Sequence, residues 1–401
     1  MRIRGITRNV VVLGLVSFFT DIASEMLYPL IPLFLVSVLG ASPALLGVID
    51  GIAEGGSSVL RWLAGAVSDR FRRRKPFVVS GYSISALSKP VMGLAVVVGG
   101  WPVFFIGRCA DRLGKSVRTS ARDALIADST EPEYRGVAFG LHRAMDTSGA
   151  VVGPLIALLI LVERPGTPLK WLFFLAVLPG LMSALLAFLA IKDISHAADP
   201  HAKPPAIFQQ FPGALWQVIA AAAIFSLGNS SDSFLILRSR ELGLSLPRVI
   251  LAYALFNVVY SIAAIPVGKL SDRVGRKPVV VAGWVVYAAV YFGFAAAKSS
   301  VAPWVLLSVY GLYQALTEGV TKALISDVVP KEQRAGAIGL FHTATGLGQL
   351  AASIMAGVLW NVRWFSGAMM APFAIGAMCA LAAVPVIVSV RVGEAYDRKR
   401  P

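Results

Sequence analysis

The chain has 401 residues, of which 56% are apolar and only 15% charged, with a mean hydropathy of +0.71. A soluble domain averages about 25% charged residues, so water-soluble globular, disordered and collagen-like classes are excluded, while the apolar fraction suffices for twelve helices of about 20 residues each. The net charge of +15 would suggest nucleic acid in a soluble protein, but here the basic residues gather in loops. The expectation is therefore topogenic, with Lys and Arg holding loops in the cytoplasm and no nucleic-acid partner.

Apolar runs and turn signals predict six spans over residues 9–38, 43–67, 76–98, 102–124, 136–162 and 170–191. Six more follow over 214–237, 247–269, 278–297, 302–325, 336–359 and 366–390. The first run begins with basic residues but is interrupted by Asp21 and Glu25, and no small-residue cleavage site follows, so it reads as a retained span. With the N-terminus inside, 23 Lys/Arg fall in inner segments and 7 in outer loops, which predicts a multi-pass protein of the cell membrane with both termini cytoplasmic. The expected class is all-α, integral to the membrane. Residues 1–191 form one six-helix bundle, 192–213 a cytoplasmic linker rich in Ala, Pro, His and Asp, and 214–401 a second bundle.

The halves repeat. Gly65-Ala-Val-Ser-Asp69-Arg70 matches Gly268-Lys-Leu-Ser-Asp272-Arg273, and each leads through Arg and Lys to a proline, Pro76 or Pro278. Asp123-Ala-Leu-Ile-Ala-Asp128 matches Lys322-Ala-Leu-Ile-Ser-Asp327, and each precedes a Glu-x-Arg step ending at Arg135 or Arg334. Two repeats of one polarity are what a duplicated transporter bundle shows.

Charged side chains inside a span cost several kcal/mol unless paired or hydrated, so they mark function by default. Span one carries Asp21 and Glu25, span two Asp50 and Glu54, and span five Arg143 and Asp146. Span three carries Lys89. Span four carries Arg108, Asp111, Arg112, Lys115 and Arg118, then Arg122, and its basic members fall on one broad helical stripe. That stripe must face a wet cavity or carboxylates. Intramembrane acids in the first half number six and bases seven, a near balance that leaves the sign of the solute open. In the second half, Asn229, Asp232, Asn257, Tyr310, Gln314 and Glu318, with Tyr28 in the first, are candidate cavity residues. His142 and His342 are expected at the inner interface, and the four histidines show no metal-site spacing.

The two loops resemble the signature of the major facilitator superfamily, G-x-x-x-D-R-x-G-R-[RK], read here as Gly65, Asp69, Arg70 and Arg73, and as Gly268, Asp272, Arg273 and Arg276. The first copy has Phe71 in place of the second glycine, whereas the second copy is intact. The resemblance covers nearly the whole chain. It implies the twelve-helix, two-repeat fold, a cytoplasmic gate at these loops, and a central cavity lined by spans one, four, seven and ten. Gly149, Gly153 and Pro154 resemble the G-x-x-x-G-P element of antiporter members, without its trailing Gly-Gly. Arg108 stands where that resemblance implies a span-four arginine linked to proton transfer. Asp21 and Glu25 are then expected to face Arg108 and Arg112, and a carboxylate that loses its cationic partner binds a proton more readily.

The sequence thus predicts a secondary active transporter, monomeric, moving a small solute by alternating access and coupled to protons. Export by antiport is the leading form, and proton- or cation-coupled uptake by symport the alternative. The chain is not expected to be an enzyme or to carry a cofactor beyond the proton gradient. A lipid-modifying enzyme would need a nucleophile, a base and an orienting group together, and only Ser24 beside Glu25 and Ser116 beside Lys115 suggest one. Gly114-Lys115-Ser116 lacks the upstream glycine of a phosphate loop, since Ala110 lies there.

Overall fold

The computed structural model describes residues 6–71, 74–131, 134–193, 211–330, 333–364 and 369–390. The elements are helical except for a two-residue antiparallel pairing, β1 (Arg363–Trp364) with β2 (Met369–Met370). In the first half the helices are α1 (Arg8–Glu25), α2 (Ile31–Leu33), α3 (Pro43–Phe71), α4 (Lys75–Leu94), α5 (Trp101–Asp128), α6 (Arg135–Glu163), α7 (Lys170–Leu175) and α8 (Val177–Ala190). In the second they are α9 (Gly213–Ser226), α10 (Ser233–Glu241), α11 (Leu246–Val274), α12 (Arg276–Ala296), α13 (Ala302–Val328), α14 (Arg334–Val358) and α15 (Ala371–Ser389).

These segments fill the twelve expected spans. Among the described residues, six spans are long and apolar enough by composition alone: Arg8–Val38, Val137–Glu163, Lys170–Ala190, Leu246–Val274, Arg276–Ala296 and Ala371–Ser389. The other spans carry more polar residues, as α5 does, or are broken, as α9 and α10 are. Outward faces are apolar. Ile262 and Ile265 of α11 are each 70% exposed and Leu189 of α8 is 68% exposed, which suits lipid and not water.

Breaks occur at matching places in the two repeats. Span one unwinds after Glu25, where Tyr28–Leu30 is a tighter 3-10 turn and Phe34–Val38 a wider π turn, because Pro29 and Pro32 cannot donate to the helical ladder. Span seven is interrupted over residues 227–232, leaving Asn229 and Asp232 at the break. Discontinuous spans expose backbone polar groups, which a membrane tolerates only where they line a cavity or protein.

The chain folds as two units. One contains the described residues up to Ser42, then Ile52 to the end of α8, and Ser245–Ala254. The other contains Pro43–Gly51, the segment from α9 to Leu244, and Leu255 to the end of α15. In the first, α4 packs on α5 and α8, and α1 on α6 and α8. In the second, α12 packs on α13 and α15, and α9 on α14 and α15. The same four helix pairings therefore recur, as a duplication requires. The first unit's core joins Val10, Leu13 and Val16 of α1 with Tyr82 of α4, Leu125 of α5 and Ala187 of α8. Lipid is as apolar as these side chains, so close van der Waals fit and polar contacts hold the helices together.

Candidate functional site

The charged residues of the first unit converge on α5. Glu54 of α3 pairs with both Arg108 Nη2 at 3.2 Å and Arg112 Nε at 3.3 Å. Asp111 pairs with Lys89 Nζ of α4 at 3.2 Å and with Arg112 Nη2 at 3.4 Å, and accepts a hydrogen bond from Ser85 Oγ at 2.6 Å. Arg108 and Lys89 are each only 1% exposed, so these pairs lie in a medium where an unmatched charge is costly. The guanidinium of Arg108 also lies 5.9 Å from the ring centre of Tyr28.

The expected partners of the two arginines are corrected here. Glu54, not Asp21 or Glu25, holds Arg108 and Arg112 at ion-pair distance. The cause is the seam between α3 and α5, where Ser57 Oγ meets Ser116 Oγ at 2.8 Å and Ser120 Oγ donates to the Arg61 carbonyl at 3.2 Å. Glu54 is one turn before Ser57 and so faces Arg112. Glu25 instead accepts from the Tyr253 hydroxyl at 2.8 Å, and Tyr253 stacks on Tyr28 with ring centres 5.4 Å apart.

Asp21 meets Asp146 of α6, side chain to side chain, in a hydrogen bond. Such a bond between two carboxyls needs a hydrogen on one of them, so this pair holds a shared proton. Gly149 and Gly153 make the contact possible. A Cβ on Gly153 would stand 2.8 Å from the Ile22 carbonyl oxygen and from the Met26 nitrogen, and one on Gly149 would collide with the Phe18 carbonyl. Only glycine lets α6 approach α1 this closely, with Pro154 within the same helix. Arg143 pairs with Asp146 at 3.3 Å, three residues apart on α6.

Other predicted residues fall elsewhere. Asp50 does not join the network on α5. It is fully buried in the second unit, where it accepts hydrogen bonds from Ser231 Oγ at 3.0 Å and from Ser233 Oγ. Arg118 turns to α4, its guanidinium 4.6 Å from the Tyr82 ring centre, and Arg122 donates to Ser17 Oγ at 3.2 Å and pairs with Asp123 at 2.8 Å. The basic stripe is thus divided between two sides of α5. His142 is buried at 5% exposure with a 2.8 Å bond to Ser17 Oγ, in place of the expected interfacial position.

In the second unit, Tyr310 donates to Asp232 at 2.7 Å and Tyr260 to Glu318 at 2.5 Å, and Lys322 lies 3.7 Å from Glu318. Asn257 is buried at 7% exposure. Asn229 and Gln314 are half-buried and make no side-chain hydrogen bond among the described residues. Tyr310 packs among Phe256, Tyr287 and Tyr313, an aromatic cluster that fills its own interior.

At the loops, Arg276 pairs with Asp272 and with Asp327 at 3.6 Å and donates to Ser271 Oγ at 2.7 Å. Gly275 precedes it with φ of +95°, a conformation that favours glycine. Arg273 is exposed and Gly268 lies within α11. In the first repeat Gly65, Asp69 and Arg70 lie in the inner part of α3, but their side chains, and all of Arg73, lie outside the described residues. The counterpart of Arg276 is Arg74, which pairs with Asp128 at 3.7 Å. One extra residue in the first loop shifts the register, so counting forward from Gly65 misses Arg74 and counting back from Pro76 finds it. Arg135 Nε to the Ala127 carbonyl, 3.3 Å, and Arg334 Nε to the Ser326 carbonyl, 3.0 Å, repeat the same symmetry.

The family model described as Major Facilitator Superfamily matches residues 13–238 and again 218–400. The chain belongs to the Major Facilitator Superfamily. An uncharacterized MFS-type transporter of Methanocaldococcus jannaschii is 36% identical over 370 residues, covering 90% of each chain. Multidrug resistance protein MdtH of Photorhabdus laumondii is 32% identical over 129 residues, 32% of this chain and 31% of that one. Among solved structures, a D-xylose-proton symporter matches with TM-score 0.74 at 17% identity, covering 96% of this chain and 97% of that one. The chain is therefore a multi-pass membrane protein with the twelve-helix, two-repeat superfamily fold, a secondary transporter of small solutes and not an enzyme.

Proposed function

We propose that this superfamily member is a proton-coupled secondary active transporter of the cell membrane that exports a small solute by antiport, with both termini cytoplasmic. The reading rests on one observation: the hydrogen-bonded carboxyls of Asp21 and Asp146 sit where Gly149 and Gly153 bring α6 against α1. A proton shared by two carboxyls can be given up and regained as the surrounding charges move. Glu54, held between Arg108 and Arg112, is the neighbouring element that changes partners. Arg74–Asp128 and Arg276–Asp327 lock the inner ends of the helices in one state and release in the other. The antiporter-like motif and the partial likeness to a multidrug resistance protein support export.

Uptake by symport is the second reading, favoured by the excess of cations around α5. An anion bound there would strengthen proton binding by the carboxyls, so both would travel together. Inside-out vesicles with an acid lumen separate the two. Under antiport, solutes from a mixed metabolite panel accumulate in the lumen and the gradient decays, and vesicles carrying Asp21→Asn show neither. Solute leaving preloaded vesicles down the proton gradient establishes symport. Solute movement that is indifferent to the gradient overturns proton coupling.

A further inference from the structure

The cations around α5 outnumber the carboxylates that hold them. Glu54 and Asp111 between them serve Lys89, Arg108 and Arg112, three cations on two acids. Asp50, counted with them in the sequence, is spent in the second unit on two serine hydroxyls. Two further cations remain on the seam between α3 and α5. Arg61 of α3 has its Nε buried with no hydrogen-bond partner. Lys115 of α5 makes no hydrogen bond or ion pair among the described residues, and its side chain is exposed.

Lys115 stands 14 residues into a helix of 28, about 21 Å from its outer end at 1.5 Å per residue. At that depth an exposed ammonium cannot face hydrocarbon. Its electrostatic neighbours are Arg112, Glu54, Arg61 and Asp21, so it opens onto the charged face of the first unit. Arg112 and Arg61 are forked donors, and Lys115 is a compact point charge beside them. Uncompensated cations of this kind are stabilised by an oxyanion, which accepts from guanidinium forks in bidentate fashion.

We propose that Arg61, Lys115 and Arg112 form the binding subsite for an oxyanion group, a carboxylate or phosphate, on the transported solute. The assignment rests on the transport reading but not on its direction. It also makes Glu54 a stand-in for the solute, since the same guanidiniums that it engages would be shared with the incoming anion.

The test is thermal unfolding of the purified full-length protein in detergent, at constant ionic strength, with inorganic phosphate, citrate or tetramethylammonium as probes. The wild type is stabilised saturably by at least one oxyanion and not by tetramethylammonium. Lys115→Gln and Arg61→Gln each raise the midpoint concentration about tenfold, Lys115→Arg retains binding, and Arg363→Gln, an exposed position far along the chain, leaves it unchanged. Stabilisation by the cation alone, by none of the probes, or to the same degree in Lys115→Gln overturns the subsite. If vesicles carrying the wild type move other solutes against the proton gradient while the oxyanions fail to bind, the subsite falls and the transport reading stands. If the oxyanions bind as stated and no solute moves, the transport reading falls and the subsite stands.

Discussion

Replacing Glu54 by Gln removes the one carboxylate within 3.3 Å of both Arg108 and Arg112. Breaking a buried pair from one side costs about 3–5 kcal/mol, because the partner charge is left without compensation. The Glu54 side chain is 25% exposed, so solvent reduces the cost to about 2–3 kcal/mol. With an unfolding entropy of about 0.8 kcal/mol/K for a chain of this size, the melting temperature falls by about 3 °C. The comparison is Arg143→Gln, which breaks a pair whose arginine is 52% exposed and costs less than about 1 kcal/mol, or about 1 °C. Scanning fluorimetry of the two variants in one detergent measures both. A double replacement of Glu54 and Arg108 should be less destabilised than the two single effects added, by about 1–3 kcal/mol for groups in direct contact. A Glu54→Gln shift no larger than that of Arg143→Gln, or strict additivity in the double variant, would refute the reasoning.

Three further outcomes follow from the geometry. Gly153→Val places side-chain carbon where the Ile22 carbonyl and Met26 nitrogen already stand, so it separates α6 from α1, and proton-driven solute flux in vesicles falls at least tenfold. Arg74→Ala and Arg276→Ala remove the matched pairs with Asp128 and Asp327; each slows solute flux while leaving the midpoint of solute binding within about twofold, and a large loss of binding would count against a gating role. Asp50→Ala leaves the hydroxyls of Ser231 and Ser233 without their acceptor in a fully buried position, lowering stability by about 1–3 kcal/mol as read by thermal unfolding. Replacing both serines by Ala in the same background should add little more.

The spans, the duplication and the family were legible because they are written in local patterns: apolar runs near helix length, breaks at Pro29 and Gly228, and loop motifs spelled twice. The four recurring helix pairings follow from that duplication. Which acid meets which base was not legible. Asp50 and Glu54 are four apart on one face of α3, yet that 29-residue helix runs through both units. A rise of about 6 Å between the two residues therefore carries them into different company, serine hydroxyls for one and guanidiniums for the other. Periodicity gives the face of a helix but not the neighbour it meets. Asp21 and Asp146 illustrate the same limit, since nothing in the sequence joins them except that Gly149 and Gly153 leave room for α1. Arg74 was hidden by a one-residue insertion, and His142 by its place at the start of a span, where packing against Ser17 decides its burial.

The central claim is that the Asp21–Asp146 pair carries the coupled proton. Its most direct measurement is the proton exchanged with a weakly buffered medium when purified protein binds the solute found in the vesicle screen. The account predicts a measurable proton change for the wild type, and none for Asp21→Asn or Asp146→Asn although both still bind the solute. An equal proton change in the wild type and the two variants would contradict it.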